Sequence, residues 1–266
     1  QAPGDKLAAV WAQEGGLKVA QEDRWASTGT RKTTSRAWDG NVLSLFGARN
    51  EVVNAAVVLE AGSVDAESVR VSFDRLAGPG GDVIASTPAD TTGARSAGLF
   101  RWVDRPIELF LVGYLKVRGL SVLSYEDYDE RHIPERLRRP HDPAGIGKGA
   151  WKDRPDHDKH YPDIAVPMEL SPTFTIKRLS SQMVWIDLYI PKTARPGVYR
   201  GQLLVEQGGK PTHRLPVALT VHGFELPDVP SASTMLFLGT DTTLRYLGEG
   251  ADGQAWRGAA LDELRD

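Results

Sequence analysis

Hydrophobic and polar positions alternate with period two in short runs over residues 7–221, and Gly, Pro, Asn and Asp separate the runs. This is the pattern of antiparallel strands with one buried face. Three runs are the clearest. Over residues 183–190, Val184, Ile186, Leu188 and Ile190 share a face; over 198–206, Tyr199, Gly201, Leu203 and Val205 do; over 214–222, Leu215, Val217, Leu219 and Val221 do. The segments between them, 191–197 and 207–211, contain Pro196-Gly197 and Gly208-Gly209, steps that supply the fixed and positive φ of chain reversals. The three runs therefore predict an antiparallel meander. Earlier strands are predicted at 42–46, 51–59, 68–76 and 107–117, with a sharp turn at Gly78-Pro79-Gly80-Gly81. Many short strands with turn signals make residues 1–230 an all-β antiparallel sandwich. No internal repeat or heptad pattern is visible, and no long helix is predicted before residue 250.

Two stretches depart from that texture. Residues 125–163 form a long polar excursion holding four of the six histidines, His132, His141, His157 and His160, with a helical turn predicted at 134–139. Structureless loops beyond about 15 residues are usually functional or disordered. After the Pro-punctuated linker at 226–231, residues 234–238 are a compact apolar run suited to a strand buried on both faces. Residues 252–266 then place Trp256, Ala260, Leu261 and Leu264 on one helical side. Residues 231–266 thus read as the first strand and helix of a truncated α/β barrel.

Composition narrows the function classes. The 266 residues include 27 Gly and 17 Pro, more than the usual share of about 12 %. A net charge of -3 disfavours a nucleic-acid partner. No apolar run approaches the ~20 residues of a membrane span. The absence of cysteine removes thiolate nucleophiles and Cys-ligated zinc. It fits a cytosolic protein or a cysteine-poor secreted one equally; the opening Gln1-Ala2-Pro3, without an initiator Met, carries the expectation of a secreted or periplasmic location. There is no Gly-rich phosphate loop ending in Lys-Ser/Thr and no Gly-x-Ser-x-Gly elbow.

Candidate chemistry gathers in the polar excursion. Asp153, Asp156, His157, Asp158, His160 and Asp163 place ligand-type atoms at short spacing, so Asp156 and Asp158 are candidate oxygen ligands for Ca²⁺, or His157 and His160 candidate nitrogen ligands for Zn²⁺. The twelve-residue calcium loop with its glycine is missing, and the alternative is a polar loop whose Asp and His cap turns. Trp151 and Tyr161 flank the cluster, and an exposed aromatic face suits stacking on sugar C–H surfaces. The candidate ligand-binding set is therefore Trp151, His157, His160, Tyr161 and Asp163. Trp185, between Val184 and Ile186 on a strand, reads as packing. Adjacent acids on a helix diverge by about 100°, so Asp262-Glu263 reads as a solvated face. Glu126-Asp127 and Asp129-Glu130 read as loop salt-bridge partners of Arg136, Arg138 and Arg139.

Four segments in order resemble a known family: Tyr161-Pro162-Asp163-Ile164-Ala165-Val166-Pro167, Val184-Trp185-Ile186-Asp187-Leu188-Tyr189-Ile190-Pro191, Pro196-Gly197-Val198-Tyr199-Arg200-Gly201 and Phe224-Glu225-Leu226-Pro227. With the Arg49-Asn50-Glu51 step, they are similar to the N-terminal β-sandwich of glycoside hydrolase family 123, over roughly residues 43–238. The resemblance implies a sandwich followed by a (β/α)8 barrel that hydrolyses β-linked N-acetylgalactosaminides. There the substrate's acetamido group is the nucleophile, oriented by an Asp next to a Glu general acid, both in the barrel. It follows that this stretch is expected to be non-catalytic and to take no cofactor. Its expected partners are the carbohydrate substrate, through the barrel, and its own catalytic domain. The alternative, from another class, is a stand-alone secreted sandwich that binds glycans or proteins.

Overall fold

The structure is a computed structural model that describes residues 6–87, 105–116, 159–229 and 231–233. The chain divides into two compact units, Gln1–Leu226 and Pro227–Asp266. All the elements below belong to the first. The strand and helix predicted at 234–238 and 252–266, the helical turn at 134–139, and most of the polar excursion lie outside the described residues.

The first unit is an all-β sandwich. Its strands are β1 (Leu7–Gln13), β2 (Leu43–Arg49), β3 (Glu51–Ala61), β4 (Ala66–Ser72), β5 (Arg75–Ala77), β6 (Val83–Ala85), β7 (Ile107–Lys116), β8 (His160–Pro167), β9 (Phe174–Ile176), β10 (Ser181–Ile190), β11 (Gly197–Gln207) and β12 (Lys210–Glu225). A single helical turn, α1, spans Trp25–Thr28. The first sheet has the order β1-β3-β10-β7-β8, antiparallel throughout. The second has the order β2-β12-β11-β4-β9, with β5 also pairing β11 and with β6.

The alternating apolar positions meet in one core. Val57 and Leu59 on β3 and Val184, Ile186, Leu188 and Ile190 on β10 are fully buried with Tyr199, Leu203, Val205, Leu215, Val217, Leu219 and Val221 of β11 and β12. At about 1.5–3 kcal/mol per fully buried large side chain, this cluster dominates the favourable side of folding.

The predicted three-stranded meander is not formed. β10 already has both edges occupied, by β3 over Ser181–Ile190 and by β7 over Val184–Leu188. The segment 191–196 therefore crosses to the other sheet, where β11 pairs β12 and β4. Nor is the second sheet purely antiparallel, because β12 runs parallel to β2, Val217 opposite Leu43 and Leu219 opposite Leu45. The predicted strand 68–76 is broken: it ends as β4 at Ser72 and resumes as β5 at Arg75. The polar excursion is shorter than predicted at its C-terminal end, since residues 160–163 open β8.

Two of the motif segments are corners. Asn50 turns the chain from β2 in one sheet to β3 in the other with φ 63°. Its N–H donates to Ile190 O at 2.8 Å, its Nδ2 donates to Leu226 O at 2.9 Å, and its Oδ1 accepts from the Tyr189 hydroxyl at 3.0 Å. Asn tolerates this left-handed backbone and can satisfy three partners at once. Glu51 Oε2 closes the corner by accepting the Ala48 N–H at 2.7 Å. At the second corner Tyr199 is fully buried, and its hydroxyl donates to the Asp82 carboxylate, with Arg195 O sharing the same hydrogen at 3.0 Å. Two residues on, Gly201 lets β5 approach, since a Cβ there would collide with the Arg75 carbonyl.

Candidate functional site

The outer face of the first sheet carries the chemistry. On β10, Ser181, Met183, Trp185, Asp187 and Tyr189 alternate with the core residues and so point outward. Register extends them into rows: Glu60 beside Ser181, Ala56 and Phe110 beside Trp185, and Asn54 and Glu108 beside Asp187.

The first row is closed over. Glu60 is fully buried, and its carboxylate accepts the Trp11 indole N–H at 2.8 Å and the Ala26 and Ser27 N–H groups at 2.9 and 2.8 Å. The last two are first-turn donors of α1 that have no helical partner, so a strand residue caps a helical turn 33 positions earlier in the chain. Trp25 completes the cover, 5.8 Å from the Trp11 ring, with the Arg31 guanidinium 4.2 Å above its centroid.

The middle row is open and concave. A groove of about 360 Å³ is lined by Trp185, Met183, Val112 and Leu17, with Gly15, Lys18, Pro162, Asp163 and Ala165 completing it. Both walls are fixed. The half-buried Trp185 donates its indole N–H to Asp187 Oδ1 at 2.7 Å, which sets the ring plane. Opposite, the Gln13 amide pairs with the Leu17 backbone, Nε2 to O at 2.7 Å and N–H to Oε1 at 2.8 Å, and so holds the 14–17 bend. Gly15 sits in that bend at φ +81°, where a Cβ would lie 2.6 Å from Asn54 Oδ1 and 2.8 Å from the Trp185 ring. Only glycine fits both the backbone and the space.

The third row is acidic. Glu108 is 1 % exposed, and no hydrogen bond reaches either carboxylate oxygen. Arg105 Nε lies 3.5 Å from Glu108 Oε1, and the same guanidinium pairs with Glu169. Burial pushes the Glu108 carboxyl up to about 7, against the pull of Arg105, and the Glu169 and Asp187 carboxylates add to the rise. Burial also raises Asp187, opposed by the hydrogen bond from Trp185. Glu108 is thus a proton-holding group near neutral pH, one strand away from the residue that anchors the groove's tryptophan.

The sequence-predicted residues fall in different places. Asp163 is exposed and lines the groove. Tyr161 is half-buried on β8. His160 is tied to the 20–24 turn: its backbone N–H and its Nδ1 both meet the Glu22 carboxylate, the latter at 2.5 Å, and its carbonyl accepts the Gln21 N–H. Burial works against the charge on Glu22, yet these hydrogen bonds hold its carboxyl below the ordinary value. Trp151, Asp156, His157 and Asp158 lie outside the described residues. Among the described residues no group of three or more His, Asp or Glu is placed to hold a metal ion, and no helix is long and apolar enough to cross a membrane.

Sequence reasoning assigned Trp185 to packing and did not single out Lys18, Asp187 or Glu108. One signal was present, since Glu108 interrupts the apolar run 107–112, where a carboxylate must find a partner or hold its proton. A half-exposed indole, a carboxylate that only accepts and an ammonium that only donates, set around an apolar recess, are equipment for binding.

No family model matches the chain, and no curated protein does. Among solved structures, the fold is similar to that of a family 123 glycoside hydrolase from Clostridium perfringens, described for glycolipid glycan hydrolysis. The TM-score is 0.52 and the identity 14 %, over 84 % of this chain and 28 % of that one. The chain therefore corresponds to little more than a quarter of that enzyme's length. A second match is AvmM, which catalyses macrocyclization in alchivemycin A biosynthesis, at TM-score 0.31 and 10 % identity, over 74 % of this chain and 98 % of that one.

Proposed function

We propose that this chain is the non-catalytic N-terminal β-sandwich of a glycoside hydrolase acting on β-linked N-acetylgalactosaminides, and that the sandwich supports a catalytic barrel and borders its substrate cleft. The observation that carries the reading is the fold likeness to a family 123 glycoside hydrolase over 84 % of this chain. The ordered motif segments agree with it: Asn50 and Tyr199 make the corners of the sandwich, and the 161–167 and 184–191 segments fall on β8 and β10, which flank β7 in the first sheet. In this reading the chemistry belongs to residues downstream of the sandwich, because catalytic groups of a barrel stand at the C-terminal ends of its strands.

The test is to read the gene beyond the codon for Asp266 and express its whole product. A continuation of ~250 residues of alternating strand and helix is expected. The whole product should hydrolyse an aryl β-N-acetylgalactosaminide while the 266-residue chain does not. A whole product that leaves a panel of aryl glycosides untouched would sink the proposal.

A further inference from the structure

We infer that the groove between Trp185 and the 15–18 bend is a binding site for one pyranose ring of a neutral glycan. The inference goes beyond the hydrolase reading and does not rest on it, since every residue it uses lies within the sandwich.

Four observations converge. The recess is mainly apolar, with Trp185, Met183, Val112, Leu17, Pro162 and Ala165 around it. A sugar ring meets such a surface with its C–H face, and the negative face of an indole attracts those weakly positive hydrogens. The two charged lining residues, Lys18 and Asp163, are of opposite sign. The lining thus carries no net charge, which favours neither an anion nor a cation, while Lys18 can donate to hydroxyls and Asp163 can accept from them. The volume, about 360 Å³, is at the small end of the ~300–1,000 Å³ range of ligand sites, right for one ring with its substituents outside. Finally, both walls are preformed, Trp185 by Asp187 and the bend by the Gln13–Leu17 pair with Gly15, so little ordering entropy opposes binding. An aliphatic ligand would use the apolar lining but leave Lys18 and Asp163 idle.

The test follows the indole N–H resonance of Trp185 in the 266-residue chain, assigned from its loss in Trp185→Phe. The probes are methyl β-galactopyranoside, methyl β-glucopyranoside and, for aliphatic occupancy, cyclohexanol. One stacked ring with two polar contacts should bind with a dissociation constant of roughly 1–10 mM. A saturable shift of the Trp185 resonance by a methyl pyranoside is expected. Ala165→Lys, an exposed β8 substitution that fills the groove without touching the core, should weaken it at least tenfold while leaving spectral dispersion intact. Asp163→Asn should weaken it a few-fold. Three results would overturn the inference: no shift by either sugar at about 50 mM, several times the expected constant; an unchanged shift in Ala165→Lys; or a shift by cyclohexanol alone.

Discussion

Glu108→Gln tests the energetics of the acidic row directly. The carboxyl is 1 % exposed, and burial raises it from 4.5 to about 7. Because the folded-state value lies above the unfolded one, folding favours the protonated acid. Its contribution is fully present below pH 4.5 and is lost as pH rises through 7. With each pKa unit worth about 1.4 kcal/mol, the rise corresponds to roughly 3 kcal/mol lost between the two limits. Most of that loss, about 2–3 kcal/mol, falls between pH 5 and pH 8. Glutamine matches the protonated acid in shape and cannot ionise. Urea unfolding of both proteins at pH 5 and pH 8, followed by far-UV circular dichroism, isolates the effect because other titrations cancel in the difference. The variant should be close to wild type at pH 5 and more stable by about 2–3 kcal/mol at pH 8. A stability difference that does not change with pH would refute the argument. So would a variant that is less stable at pH 8, since the ion pair with Arg105 would then outweigh desolvation.

Tyr199→Phe keeps the buried ring but removes the hydroxyl that donates to Asp82, so the urea midpoint should fall by the equivalent of about 1.5–3 kcal/mol, the range for a hydrogen bond to a charged group. The Tyr199 hydroxyl is also the main reason that the Asp82 carboxyl lies below its ordinary value. Wild type therefore holds this stability above pH 4 and loses it on acidification, whereas the variant should show a flatter acid limb. Glu60→Gln replaces one of two accepting oxygens by an amide donor facing N–H groups, which should cost about 2–3 kcal/mol and loosen the cover around α1. Hydrogen exchange at Ala26 and Ser27 reports that loosening, and unchanged protection there would count against Glu60 as the anchor.

The strands were legible because a period of two records which side is buried, and Val184, Ile186, Leu188 and Ile190 record it without interruption. What the period cannot record is the neighbour across the ladder. Pro196-Gly197 signals a reversal equally well for a hairpin and for a crossing between sheets. The deciding fact, that β3 and β7 already occupy both edges of β10, sits more than 70 positions away in the chain. The site was less legible for the same reason. Trp185 reads as packing because its neighbours are core residues, and its exposed side depends on where the 14–17 bend passes. Asp163 was singled out for its polar company near His160, and it does line the groove. His160 instead closes a salt-linked turn with Glu22. Glu60 looks like a solvated strand charge until its partners at Trp11 and Ala26 come into contact, and the apolar run around Glu108 signals burial without naming Arg105 as its partner.

Two of the three rows on the outer face are electrostatically linked. Asp187 belongs to both: its carboxylate anchors the Trp185 indole, and it stands directly across the ladder from Glu108. When Glu108 holds its proton, Asp187 can ionise without a like charge beside it, and an ionised acceptor makes the stronger bond to the indole N–H. When Glu108 loses its proton, Arg105 must serve Glu108 and Glu169 together, and Asp187 faces a second negative charge across the strands. The buried acid that costs stability above neutral pH therefore stands directly across the ladder from the residue that anchors the groove's tryptophan. The closed row at Glu60 takes no part in that exchange, because three N–H donors already satisfy its carboxylate. One sheet face thus combines a fixed cover, a preformed recess and a titratable acid. All three follow from outward-facing residues whose chemistry the strand period leaves unspecified.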